Sequence, residues 1–344
     1  FGLMRTPDGV RAYGSGLQAV NFLAGGTLDI TGGTVGSNNY AEIWTDSGTQ
    51  SISGNADITL TGGASGGGAL IGENNNSASI VADHNAQTVT ANRITLQGGA
   101  GGTGNAALLA GETQQTITVG AGGLQVTGGG GTGSETTNLA GILQLGQGAG
   151  KGQTITVQGG NVVMQGGSSA ATHVGYLTGT DAPAGFIAGS RALIRSDGAN
   201  GQAITFTSAG GSLSMTGGSV GSGNDASIEA SGPQTLRGST AANAPTLLLT
   251  AGSSGGALNG SINEGNHARI SAGGLQTLDV GGATLTMAAA SGIASAAVIT
   301  ASQQQITVRG DLVLQGGSAV VTDGGARIGS RTGTGTNLQL TVTG

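Results

Sequence analysis

The sequence predicts an all-β chain, a right-handed parallel β-helix (β-solenoid) with three short strands per coil and about nine to ten coils, as one domain over 1–344. Three observations predict it. A Gln-x-aliphatic marker returns nine times, apolar residues alternate with period two around it, and glycine pairs stand at one relative place in most repeats.

Composition narrows the class first. Glycine occurs 73 times, 8% of residues are charged and 2% aromatic, against roughly 7% glycine and about 25% charged in average domains, so the chain is biased and repetitive. Its 36% hydrophobic content and four prolines argue against disorder. Glycine does not fall at every third position, which excludes collagen, and no heptads mark a coiled coil. The absence of cysteine removes disulfide and zinc-thiolate chemistry. A net charge of −6 without a basic stripe argues against nucleic acid as a partner, and no apolar run reaches the length of a spanning helix, so no membrane insertion is expected. The chain opens at Phe1 without a charged n-region or apolar h-region, which predicts a mature or excised piece.

The first strand of each coil is the marker, clearest as Gln-Thr-Ile-Thr-Val at Gln115–Val119 and Gln153–Val157. Its other copies begin near Gln18, Gln50, Gln87, Gln202, Gln234, Gln276 and Gln304, at intervals of 28 to 49 residues. Two residues after each Gln stands an aliphatic: Val20, Ile52, Val89, Ile117, Ile155, Ile204, Leu236, Leu278 and Ile306. The Gln shares their inward parity, which predicts a ladder of stacked amides through Gln50, Gln87, Gln115, Gln153, Gln202, Gln234, Gln276 and Gln304. The alternative is a solvated turn residue.

The second strand has the form Leu-x-Leu-Thr-Gly-Gly, with inward pairs such as Ile58/Leu60 and Leu124/Val126. It ends on Gly32-Gly33, Gly62-Gly63, Gly98-Gly99, Gly128-Gly129, Gly166-Gly167, Gly217-Gly218 and Gly316-Gly317, as a corner with positive φ or close backbone approach requires. Alanine-rich corners replace them at Ala251 and Ala289-Ala290. The third strand reads Ala-x-Ile, as in Ala78/Ile80 and Ala226/Ile228, with Ala106/Leu108 as its copy in the third repeat. Three strands close one coil. The right hand follows from the general preference of crossover connections.

Chemistry-bearing residues are scattered. His84, His173 and His267 lie in three different repeats, and no HExxH, nucleophile elbow or calcium-loop spacing occurs, so no catalytic residue, metal site or cofactor is expected. Asp29, Asp57, Asp279 and Asp311 occupy different relative places, with no basic partner expected in register. Thr88/Thr90, Thr116/Thr118 and Thr154/Thr156 form a partial Thr-x-Thr array, a pattern able to order ice, although plain β-propensity explains it as well. The longest insertion, between Gly167 and Ala192, holds His173, Tyr176 and Phe186 as candidate contacts for a glycan or partner, against local packing.

These features, the QTITV-type strand, the LTLTGG-type strand and the NxAxI-type strand, resemble the repeat region of filamentous-haemagglutinin-like two-partner-secreted exoproteins over nearly the whole chain. The resemblance implies a secreted, extracellular or bacterial cell-surface protein without enzymatic activity, acting as an adhesin, biofilm factor or fibre, with a host or matrix glycan or surface receptor as a further partner. The alternatives are a carbohydrate-active lyase or hydrolase and an ice-binding solenoid. The ends add an expectation. Phe1-Gly2-Leu3 reads as the tail of a second strand and Leu338, Leu340 and Val342 as a first strand with no second after it, so copies are expected to stack head to tail.

Overall fold

The computed structural model describes residues 2–6, 9–66, 75–132, 138–170, 189–253, 257–259, 262–286, 295–317, 324–329 and 337–344. Within them the chain is a parallel β-solenoid in which one large sheet wraps three walls around an apolar axis. Every coil is held by its neighbours, because a strand pairs with its counterparts one repeat before and one repeat after.

On the first wall the register runs Gln18, Gln50, Gln87, Gln115, Gln153, Gln202, Gln234, Gln276, Gln304 and finally Leu338. Since side chains alternate across a strand, fixing the Gln inward also turns the residues two and four further on inward, and Ile52, Ile117 and Ile155 are fully buried. On the second wall Ile58/Leu60, Ile94/Leu96, Leu124/Val126, Val162/Met164, Leu213/Met215 and Leu247/Leu249 stack in one register. Ala and Ile share the third wall, where Ala41/Ile43 stacks on Ala78/Ile80 and Ala192/Ile194 on Ala226/Ile228.

The third repeat's copy of the third strand is displaced by one residue from the expected pairing. Ala107 and Leu109, not Ala106 and Leu108, register with Ala140 and Ile142 and enter the axial core. The segment Ala106-Ala107-Leu108-Leu109 has the same hydrophobicity in either parity, and the register is decided outside it, by Asn105. Ala106 instead joins Ala110, Leu139, Leu143 and Leu193 in a second buried cluster.

The paired glycines serve close approach rather than unusual backbone angles. None of Gly62, Gly63, Gly98 or Gly99 has a positive φ. A Cβ at Gly62 would lie 2.1 Å from the Asn105 carbonyl oxygen, and one at Gly63 would lie 2.3 Å from that of Gly33. The corner at Ala251-Gly252 keeps the same backbone bonds, Gly252 N–H donating to the Asn266 carbonyl. Ala289-Ala290 lies outside the described residues.

The N-terminal strand is not the tail of a second strand. Gly2–Thr6 pairs antiparallel with Gly9–Gly14, and Gly9–Gly14 itself stacks in parallel on Tyr40–Thr45 of the third wall. The sequence that joins the two strands contains Pro-Asp-Gly, residue types that favour a reversal over a continued strand. Leu3 is in register with Ala12 in this hairpin, and Phe1 lies outside the described residues. At the other end Leu312–Gln315, Gly325–Ile328 and Asn337–Val342 each pair on one side only, among the described residues.

Candidate functional site

The most extended polar feature of the molecule is the column of amides. Each glutamine Nε2 donates to the Oε1 of the glutamine one coil earlier, from Gln50 to Gln18 through Gln304 to Gln276, at 2.6 to 2.9 Å. All nine side chains are buried, Gln18 included, so the ladder reaches one coil further than the eight residues expected from the sequence. The second amide hydrogen reaches a third-wall carbonyl, as in Gln87 Nε2 to Ala110 O at 2.9 Å. A buried primary amide keeps two donors and an acceptor to satisfy, and the stacked geometry satisfies them with one residue type.

The column has unlike ends. Gln18 Nε2 donates to the carbonyls of Ala12 and Trp44 at 3.3 and 3.2 Å. Among the described residues Gln304 Oε1 is buried with no donor, Leu338 occupying the next ladder place.

A second ladder was missed by sequence reasoning. The backbone N–H of Asn39, Asn76 and Asn105 donates to the Oδ1 of Asn76, Asn105 and Asn138 at 2.8 to 3.0 Å. Further along, Ser190 and Asn224 donate in the same way to Asn224 and Asn266, and the hydroxyls of Ser190 and Ser295 replace the amide oxygen where Asn is absent. The sequence signal is the recurring Asn or Ser two residues before the third-wall alanine. It sets the register at Ala107.

Among the described residues, two clusters gather three or more charged side chains. Arg191, 2% exposed, pairs with Glu229, which also binds Arg269, and Asp225 lies 3.7 Å from Arg191. Burial pushes the Glu229 carboxyl up, but the Arg191 and Arg269 guanidinium groups outweigh it and hold the carboxyl well below the usual range. The other place is the corner between the third and first walls. In-register backbone bonds stack Asp46, Asp83 and Glu112 there on three consecutive coils. Ligand-type atoms of Asp46, Asp83 and His84 come within 4.8 Å of one another. His84 Nδ1 is engaged with Glu112 Oε2 at 2.6 Å and Lys151 lies 3.8 Å from Glu112, so the group reads as an ion-pair network rather than a coordination sphere. The hydrogen bond to Glu112, reinforced by the charges of Asp83 and Glu112, pushes the His84 imidazole up.

Two of the scattered aspartates have basic partners after all. Arg93 registers with Asp57 and lies 3.9 Å from it, and Arg309 binds Asp279 through two bonds of 2.7 and 2.8 Å. Each pair spans one coil, 36 or 30 positions apart in a chain of unequal insertions, so the juxtaposition was hidden in the sequence. The Thr-x-Thr array is in register: Thr88, Thr116 and Thr154 form one column and Thr90, Thr118, Thr156 and Thr205 the next. Leu338, Leu340 and Val342 are 41 to 50% exposed on the last first-wall strand. His173, Tyr176 and Phe186 lie outside the described residues.

No family model, curated protein or solved structure matches the chain. The resemblance to haemagglutinin-like exoproteins therefore rests on the repeat alone.

Proposed function

We propose that the protein is a non-enzymatic, secreted structural or adhesive rod that joins an extracellular fibre through its terminal coils. The observation that carries this reading is the unbroken glutamine column, which commits the interior of each coil to stacking on the next one. Repeated coils present a repeated surface, and such a surface binds by many weak contacts rather than by one pocket. Unpaired strand edges and the exposed Leu338, Leu340 and Val342 supply a face that a second copy can cover through its own first strand, Gln18–Thr31. The antiparallel hairpin changes the expected geometry: the third wall carries Gly2–Thr6 at that end, so stacking engages the first and second walls. Electron microscopy at rising protein concentration tests it. Filaments with the width of a single rod are expected, and dispersed short rods at every concentration refute assembly.

Two further readings each have one observation in their favour. The gathering of Asp83, His84 and Glu112 on adjacent coils favours a polysaccharide lyase or hydrolase, and release of reducing or unsaturated ends from a polysaccharide panel, lost in Glu112→Gln, would establish it. The in-register threonine columns favour ice binding, for which thermal hysteresis is the direct measurement.

A further inference from the structure

The corner at His84 differs from the rest of the rod. Parallel stacking forces Asp46, Asp83 and Glu112 into one column, because the N–H of Asp83 donates to the Thr45 carbonyl and that of Glu112 to the Ala82 carbonyl, at 2.8 and 3.1 Å. Like charges one strand spacing apart repel. His84 is set against them with a backbone φ of 65°, a left-handed conformation uncommon outside glycine but one that His adopts more readily than most side chains. In that conformation its N–H and its Nδ1 both reach Glu112 Oε2, at 2.8 and 2.6 Å, while Asp83 Oδ1 stays 3.7 Å from Nδ1. One residue thereby ties its own coil to the next.

We propose that His84 is a proton-operated latch on this corner: as imidazolium it holds Asp83 and Glu112 of adjacent coils together, and as neutral imidazole it lets the corner open locally while the walls stay paired. The charged groups facing it are Asp46 on the coil before, Asp83 on its own coil and Glu112 on the coil after, with Lys151 balancing the far oxygen of Glu112. Lys151 compensates one carboxylate only, so loss of the proton leaves Asp46 and Asp83 uncompensated. Hydrogen bonding to Glu112 and the neighbouring negative charges raise the imidazole above its ordinary value. The latch is therefore closed below the ordinary histidine range and is released as pH rises through the raised value. At low pH it fails a second time, when the carboxylates protonate. The inference is independent of fibre assembly, since a rod that never polymerises still has the corner.

Amide hydrogen exchange of the intact protein, corrected for intrinsic rates and followed from mildly acidic to mildly alkaline pH, tests it. Protection of the Asp83, His84 and Glu112 amides is expected to fall about two- to fivefold across the imidazole titration, the scale of an exposed ion pair, with Ile155 and the other first-wall amides unchanged. His84→Asn, which tolerates the left-handed backbone but does not titrate, is expected to flatten the profile. Glu112→Gln is expected to move the imidazole midpoint, read by NMR, towards acid. A flat wild-type profile, an equal fall in His84→Asn, or a fall shared by the whole first wall overturns the latch.

Discussion

Replacing one interior glutamine of the ladder by leucine tests whether the amide column stabilises the rod or merely fills it. In Gln153→Leu the shape is nearly kept, but two ladder bonds vanish, that from Gln153 Nε2 to Gln115 Oε1 at 2.6 Å and that from Gln202 Nε2 to Gln153 Oε1 at 2.7 Å, along with the longer contacts of Gln153 Nε2 to the Arg195 and Ile142 carbonyls at 3.2 and 3.4 Å. Gln115 Oε1 is left buried without a donor, and Gln202 Nε2 keeps only a long contact of 3.4 Å to the Glu229 carbonyl. At about 1–3 kcal/mol for each stranded group, less the apolar gain of leucine, the loss should be about 2–4 kcal/mol. Gln304→Leu is the internal control. It strands Gln276 Oε1 but removes the already donorless Gln304 Oε1, so the number of orphaned acceptors is unchanged. One ladder hydrogen bond is lost, worth about 0.5–1.5 kcal/mol, with a long contact of 3.4 Å to the Ile299 carbonyl. Because solenoids unfold coil by coil, the measurement is exchange protection resolved by coil, alongside urea denaturation. Equal losses in the two variants, or a loss under about 0.5 kcal/mol in Gln153→Leu, would refute the reasoning.

Leu338→Gln should do the reverse, giving Gln304 Oε1 its donor and raising protection of the last two coils by about 1 kcal/mol; unchanged protection there would mean that the acceptor is satisfied in another way. Glu229→Gln leaves Arg191 buried without its main counter-charge and should lose about 3–5 kcal/mol in denaturant. The same pair gives a pH signature. A carboxyl held down in the folded state contributes fully above the ordinary carboxylate range, and that contribution falls away as pH drops below about 4, so wild type should lose stability there more steeply than Glu229→Gln. Gly62→Ala pushes a methyl to 2.1 Å from the Asn105 carbonyl oxygen and should lose about 1–3 kcal/mol. Gly316→Ala, at the same corner of the last second-wall strand with no atom of the described residues within 4 Å, should stay within about 0.5 kcal/mol of wild type by thermal unfolding.

The walls were legible because a period of two survives any insertion: Gln-x-Ile and Leu-x-Leu name their inward faces wherever they fall. Register was legible only where a polar residue punctuates the strand. Gln115 does so for the first wall, whereas the run Ala106–Leu109 offers no such mark within itself, and Asn105, just outside it, decides. The N-terminal hairpin was not legible in the repeat, because Phe1-Gly2-Leu3 fits the tail of a second strand equally well and no second copy of the segment exists to compare. Contacts between coils were the least legible. Asp279 meets Arg309, and His84 meets Glu112, across loops of arbitrary length, and no local pattern encodes that distance.

The glutamine column has a direction as well as a length. Each side-chain amide points its N–H group towards the N-terminal end and its carbonyl towards the other, so their dipoles add instead of cancelling, as peptide units do along a helix axis. Mutual polarisation strengthens each bond in such a series, and a break in the middle leaves two weaker halves. That sense belongs to the column alone, because the net charge of −6 falls wholly within residues 1–135 and sets the field outside the rod.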